Sequence, residues 1–183
     1  MFSLIKGTLS WCFAKKVVRV LLLGLDNSGK TTFLEQIKKL FGQRSMPIHK
    51  IPPTVGLNIA KLTHNNIQVL IWDLGGKEGI RQIWNHYYSE AQALIFMIDG
   101  CDRNRFQELN EVLKQTLAES QLKGVPLAII INKHDQDSCA SIGFIREMFE
   151  TDTIEGRSVE IMYGSSYTQE GIEKVINWIL SVA

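Results

Sequence analysis

The sequence predicts an α/β fold built on a mostly parallel sheet with helices on both faces. Two features point there. Apolar, β-branched runs of strand length alternate along the chain with segments whose apolar residues recur at helical spacing. The runs are apolar throughout, as in strands buried on both faces. Strands that alternate with helices need crossover connections, which make neighbouring strands parallel. Ligands of such sheets bind at the carboxyl ends of the strands.

The first strand is VVRVLLL, Val17 to Leu23, ended by Gly24. TTFLEQIKKLF follows as a helix, with Phe33, Leu34, Ile37, Leu40 and Phe41 at helical spacing. A proline-containing loop, GQRSMPIHKIPPTVG, leads to NIAKLT and IQVLIWD, two strands separated by the hairpin signal HNN. ALIFMID, Ala93 to Asp99, is a buried strand, and RFQELNEVLKQTLAES an amphipathic helix. VPLAIIIN, Val125 to Asn132, is again a strand, and SIGFIREMFE a helix. SVEIMYGS and EGIEKVINWILSV close the chain as strand and helix.

The 183 residues suit one domain, and 45% hydrophobic content suffices for a core. Lys plus Arg is 20 against 19 for Asp plus Glu, so there is no basic excess of the kind a nucleic-acid partner favours. The three cysteines, Cys12, Cys101 and Cys139, lack metal-ligand spacing and read as buried or free thiols of a reducing compartment. No apolar run reaches the roughly 18 residues of a transmembrane helix.

Three loops at strand ends carry chemistry. GLDNSGKTT matches the P-loop pattern G-x-x-x-x-G-K-[ST], with a strand before it and a helix after it. The phosphate-binding set is Gly24, Asp26, Asn27, Ser28, Gly29, Lys30, Thr31 and Thr32. Glycines let backbone N–H groups wrap a phosphate, Lys30 brings a point charge to the β- and γ-phosphates, and the Thr31 hydroxyl reaches Mg²⁺.

NKHD follows a later strand. Asp135 there accepts two hydrogen bonds from a base carrying N1–H and a 2-amino group, which is guanine and not adenine, while Asn132 and Lys133 brace the loop and stack on the base. YGSSYT contributes Ser165 and Ser166, whose backbone N–H is expected to meet the guanine O6. Asp73 ends the strand IQVLIW, where a P-loop NTPase places the acid that holds Mg²⁺ through water. Gly76 brings an N–H to the γ-phosphate, and Thr54 of PPTVG supplies a second hydroxyl to the metal. Loops held only by a γ-phosphate and its metal let go on hydrolysis, which makes a switch.

GLDNSGKTT, PPTVGLN, WDLGGKE, NKHD and EGIEKVINWI together resemble the Arf/Arl family of small GTPases, over about Val17 to Val182. The opening MFSLIKG, the helix TTFLEQIKK and TVGLNI are most similar to the Arf-related protein subgroup. The resemblance implies the small-GTPase version of the P-loop NTPase fold, with a six-stranded sheet, GTP or GDP, and Mg²⁺. It implies a switch in vesicle and Golgi membrane trafficking, working as a monomer with an exchange factor, a GTPase-activating protein and effectors. The switches fall near residues 43 to 58 and 73 to 90. An effector surface of exposed apolar residues maps to Leu57, Trp72 and Tyr87, with Leu57 where the family usually has Phe.

The chain begins Met-Phe and not Met-Gly, which excludes the myristoylation found in Arf proteins. Phe2, Leu4, Ile5, Leu9 and Phe13 instead suggest an amphipathic helix over residues 1–16, ahead of a GTP-binding domain over 17–183. That helix lies on a membrane, in the hairpin groove, or in each by turns, and the subgroup's location is cytoplasmic, peripheral to the Golgi and trans-Golgi membrane. Lys77 stands where the family carries the glutamine that orients the attacking water. Glutamine both donates and accepts, whereas lysine only donates, so intrinsic hydrolysis is expected to be slow. Two other readings remain: a GTP-binding scaffold that hardly turns over, and an adenylate-type kinase, which NKHD and the absence of an Arg-rich lid disfavour.

Overall fold

A computed structural model describes residues 16–183. Cys12 and the expected helix over residues 1–16 lie outside the described residues, apart from Lys16, which opens the first strand. Six strands form one sheet: β1 (Lys16–Leu23), β2 (Leu57–His64), β3 (Ile67–Leu74), β4 (Ala93–Asp99), β5 (Leu127–Asn132) and β6 (Val159–Tyr163). Their spatial order is β2-β3-β1-β4-β5-β6. Among the described residues only β2 pairs antiparallel, with β3, through the expected hairpin. The other pairings are parallel.

The apolar strands split their side chains between two cores. Leu21, Leu23, Phe96, Ile98, Ile129 and Ile131 pack under the helices Phe106–Ala118 and Ile142–Met148. Val20, Leu22, Ile95, Met97, Ala128 and Ile130 pack under the helices Lys30–Leu40 and Ile172–Ser181. Successive residues face opposite sides of a strand, so a continuous apolar run fills both layers. Ser141 caps its helix by accepting the Phe144 N–H at 3.2 Å.

Two short helical turns that the sequence did not foretell follow β3, over Glu78–Arg81 and Asn85–Tyr88. Four residues are too few to display a helical period. Their anchor is Trp84, fully buried, whose indole N–H donates to Gly75 O at 2.9 Å. The strand expected from Val125 begins at Leu127, because Pro126 has no N–H to give to a ladder.

Candidate functional site

The carboxyl ends of β1, β3, β5 and β6 open into one cleft of about 870 Å³. Asp26, Asn27, Gly29, Lys30, Thr31 and Thr32 form its floor. Gly29 takes φ +89, and an added Cβ would collide with the Asn132 amide nitrogen, so glycine is required on two counts. Gly24 and Ser28 lie behind the lining: Gly24 O accepts from Lys30 Nζ at 2.9 Å, and Ser28 Oγ donates to Leu25 O at 2.9 Å. Lys30 is only 5% exposed, and its ammonium also donates to Leu25 O at 2.7 Å. Burial pulls its pKa down to about 8, although Asp73 and Asp26 oppose that shift.

Thr31, Thr54 and Asp73 come from three separate segments and meet. Thr31 Oγ1 donates to Asp73 Oδ2 at 2.7 Å and lies 2.5 Å from Thr54 Oγ1, which is itself 3.4 Å from Asp73 Oδ2. Asp73 is fully buried, and its Oδ1 has no hydrogen-bond partner among the described residues. Burial raises its pKa, against the hydrogen bonds and Lys30 that favour the carboxylate. One carboxylate and two hydroxyls form an all-oxygen donor set that suits a hard cation such as Mg²⁺. The uncompensated carboxylate oxygen is where such an ion would relieve a buried charge.

Gly76 closes the P-loop end of the cleft. An added Cβ there would overlap Gly24 O, Leu25 C and Asp26 N, so its backbone lies directly against the P-loop. Lys77 is exposed on the rim of the cleft, and its ammonium has no hydrogen bond among the described residues. Its carbonyl accepts from the N–H groups of Ile80 and Arg81, at 2.8 and 3.1 Å, and so starts the helical turn.

The other end is built by NKHD and the loop after β6. Asn132 is buried and gives its amide to Ser28 O at 2.7 Å. Its Oδ1 accepts the Ser166 N–H at 2.9 Å and the Ser166 hydroxyl at 3.0 Å. The expectation that the Ser166 N–H faces a guanine O6 is therefore corrected: a buried amide oxygen needs a donor, and this N–H supplies it. Ser165 does not line the cleft; its hydroxyl braces Asp135 Oδ1 at 2.5 Å. Lys133 holds φ +66 and pairs its ammonium with Asp99 at 2.5 Å, leaving its stem along the cleft wall.

The expected apolar surface also needs correction. Trp72 is 8% exposed and packs edge-on against Tyr87, with ring centroids 5.5 Å apart, while Leu57 is half-buried. Exposure on this side falls on Val55 at 82% and Ile59 at 53%, because the indole turns into the core under the second switch segment. Sequence reasoning missed Tyr167, a 72% exposed lining residue. It also missed Arg81, Arg105 and Glu108. Arg105 pairs with Asp26 at 2.9 Å and Glu108 at 3.0 Å, and Glu108 pairs with Arg81 at 2.5 Å. Partners up to 79 positions apart leave no local pattern to find.

Residues 4–183 match the ADP-ribosylation factor family. The chain belongs to that family. It is 36% identical to ADP-ribosylation factor-like protein 3 of Saccharomyces cerevisiae over 183 residues, covering 98% of this chain and 92% of that protein. Identity to human ADP-ribosylation factor-related protein 1 is also 36%, over 184 residues, with the same coverage of 98% and 92%. Among solved structures, the Arl6 BBS3 small GTPase of Trypanosoma brucei with bound nucleotide analogue GppNp matches with a TM-score of 0.79 and 25% identity, over 91% of this chain and 96% of that one. ADP-ribosylation factor proteins are GTP-hydrolysing switches that bind GTP and GDP with Mg²⁺. They act together with exchange factors, activating proteins and effectors.

Proposed function

We propose that this chain is a GTP/GDP switch of Golgi and vesicle trafficking whose intrinsic hydrolysis is slow. The observation that carries the second half is Lys77, exposed on the cleft rim one residue after the backbone that closes the phosphate end. The reaction is GTP plus water to GDP plus phosphate. Thr31, Thr54 and Asp73 would hold Mg²⁺, which would supply charge neutralisation at the triphosphate.

The chain's own groups divide the rest. Lys30, already buried at the floor, offers its ammonium to the phosphates in exchange for the carbonyls of Gly24 and Leu25. The Gly76 N–H binds the γ-phosphate, and its loss on hydrolysis frees the segment that follows. Asp135 selects guanine. Lys77 adds positive charge near the γ-phosphate but has no acceptor with which to orient a water. Single-turnover hydrolysis tests this: Lys77→Gln should be on the order of tenfold faster than the parent or more, and equal rates would sink the idea.

A scaffold that binds GTP and hardly hydrolyses it is the second reading, and Lys77 favours it as well. An extract containing an activating protein separates the two, since only the switch releases phosphate faster with it. Membrane use through residues 1–16 rests on the helical spacing of Phe2, Leu4, Ile5, Leu9 and Phe13, and the Golgi location on the similarity to the Arf-related subgroup. Co-fractionation of the full chain with Golgi membranes, lost when residues 1–16 are removed, tests both.

A further inference from the structure

We propose that Cys101 and Cys139 form a thiol pair that oxidises to an intrachain disulfide and thereby loosens the guanine-binding loop. Cys101 follows β4 and Cys139 follows NKHD, and the chain brings them together. Ala140 N–H donates to Gly100 O at 2.8 Å, so the two backbones meet immediately beside the cysteines. Gly100 has no room for a side chain because the Cys139 sulfur takes that space. Both thiols are free and half-buried. A main-chain hydrogen bond between their chain neighbours holds the two cysteines on adjacent backbones, which is the arrangement a disulfide requires.

The sulfurs also touch the loop that reads the base. Cys101 Sγ donates to Lys133 O at 3.7 Å, and Cys139 Sγ lies 4.0 Å from Asn132 O. Lys133 sits in the left-handed region at φ +66, which a lysine adopts only when its surroundings impose it. A bond between the sulfurs draws both away from these carbonyls and removes both S–H donors.

The oxidant is a low-molecular-weight disulfide such as glutathione disulfide. The Cys101 thiolate attacks one sulfur of it, breaking that S–S bond and expelling one thiolate. Cys139 then loses its proton and attacks the Cys101 sulfur, expelling the second thiolate. Two protein thiols are oxidised and one disulfide is reduced to two thiols. Burial pushes the Cys139 thiol up to about 11, and the neighbouring Cys101 adds to that rise. This order assigns the first attack to Cys101. Capture of Cys101 as the mixed disulfide removes its share of the repulsion just before Cys139 must ionise.

The effect on the loop rests on the guanine reading of the cleft, whereas formation of the bond does not. The test uses the full chain carrying Cys12→Ser, loaded with fluorescent methylanthraniloyl-GDP and treated with glutathione disulfide. Intact mass should fall by two hydrogen atoms, and peptide mapping should join Cys101 to Cys139. Two free thiols, or two stable glutathione adducts, would overturn the proposal. Release of the labelled GDP should become severalfold faster in the disulfide form and return with dithiothreitol. Unchanged release would overturn the link to the base loop. Reduced protein that never takes up the label would instead fault the guanine reading, while the mass result still decides the disulfide. Cys101→Ser should keep release at the reduced rate under the same oxidant, and release as fast as that of the oxidised parent would count against the pair.

Discussion

The guanidinium of Arg81 donates its Nε–H to the carbonyl oxygen of Gly76 at 2.7 Å. Its far nitrogen pairs with Glu108, which pairs with Arg105, which pairs with Asp26 of the P-loop. The segment that closes the cleft is thereby tied to the cleft floor around the outside. The hydrogen bond to Glu108 from Arg105 holds the Glu108 carboxyl below its usual range. Glu108 is substantially exposed, so solvent screens each pair. Arg81→Ala should cost about 1 kcal/mol in urea unfolding and raise hydrogen exchange over residues 75–83. Unchanged exchange there would mean that the tie does not hold the segment.

Gly76 has an ordinary backbone conformation, so its intolerance of a side chain is purely steric. Gly76→Ala should therefore fold normally yet fail to close on the P-loop. We expect a GTP analogue to lose about tenfold or more in affinity while GDP changes little. Equilibrium titration with both nucleotides, beside a melting curve, checks it. Equal losses for the two would show that the contact is not specific to the γ-phosphate end.

Lys30 gives the cleft a pH dependence. Its pKa lies near 8 in the free protein, and phosphates would raise it in the bound one. Below about pH 8 the ammonium already stands in the free cleft. As pH rises through that value, binding must first take up a proton, so affinity for GTP falls. Calorimetry in buffers of different ionisation enthalpy should show proton uptake above pH 8 and little at pH 7. Lys30→Met should lose both that uptake and most of the affinity.

Asp135 is held by the Ser165 hydroxyl with its second oxygen left for a ligand. Asp135→Asn exchanges an acceptor for a donor at that point. Guanine affinity should fall on the order of a thousandfold, from two lost charge-assisted hydrogen bonds. Xanthine, which carries a carbonyl in place of the 2-amino group, should bind better than guanine. Competition between GDP and xanthosine diphosphate reads the outcome, and an unshifted preference would remove Asp135 from the base site.

Much of this site could be read directly from the residues because each loop follows a strand that ends at the same sheet edge. Lys30, Thr31, Asp73 and Asp135 needed only that register. Thr54 was legible through its PPTVG context, and the structure brings its hydroxyl to Thr31 and Asp73. What escaped was set by packing in three dimensions. The orientation of Trp72 depends on helical turns too short to show a period. The N–H of Ser166 was misassigned because the demand of a buried Asn132 oxygen is not written locally. The ion pairs from Asp26 to Arg81 join residues far apart in sequence, and Cys101 and Cys139 meet only once β4 and β5 are aligned.

Asn132 bonds to the P-loop through Ser28 and to the last loop through Ser166 with one amide group. The base loop and the P-loop therefore stand at a separation set by one buried amide of the protein. The flexible part of the fit is the ribose and its torsions in the ligand. The cleft measures length as well as chemistry: a ligand must span from Asp135 to Gly76 to hold both ends, and one that reaches only half-way leaves the far wall without a grip.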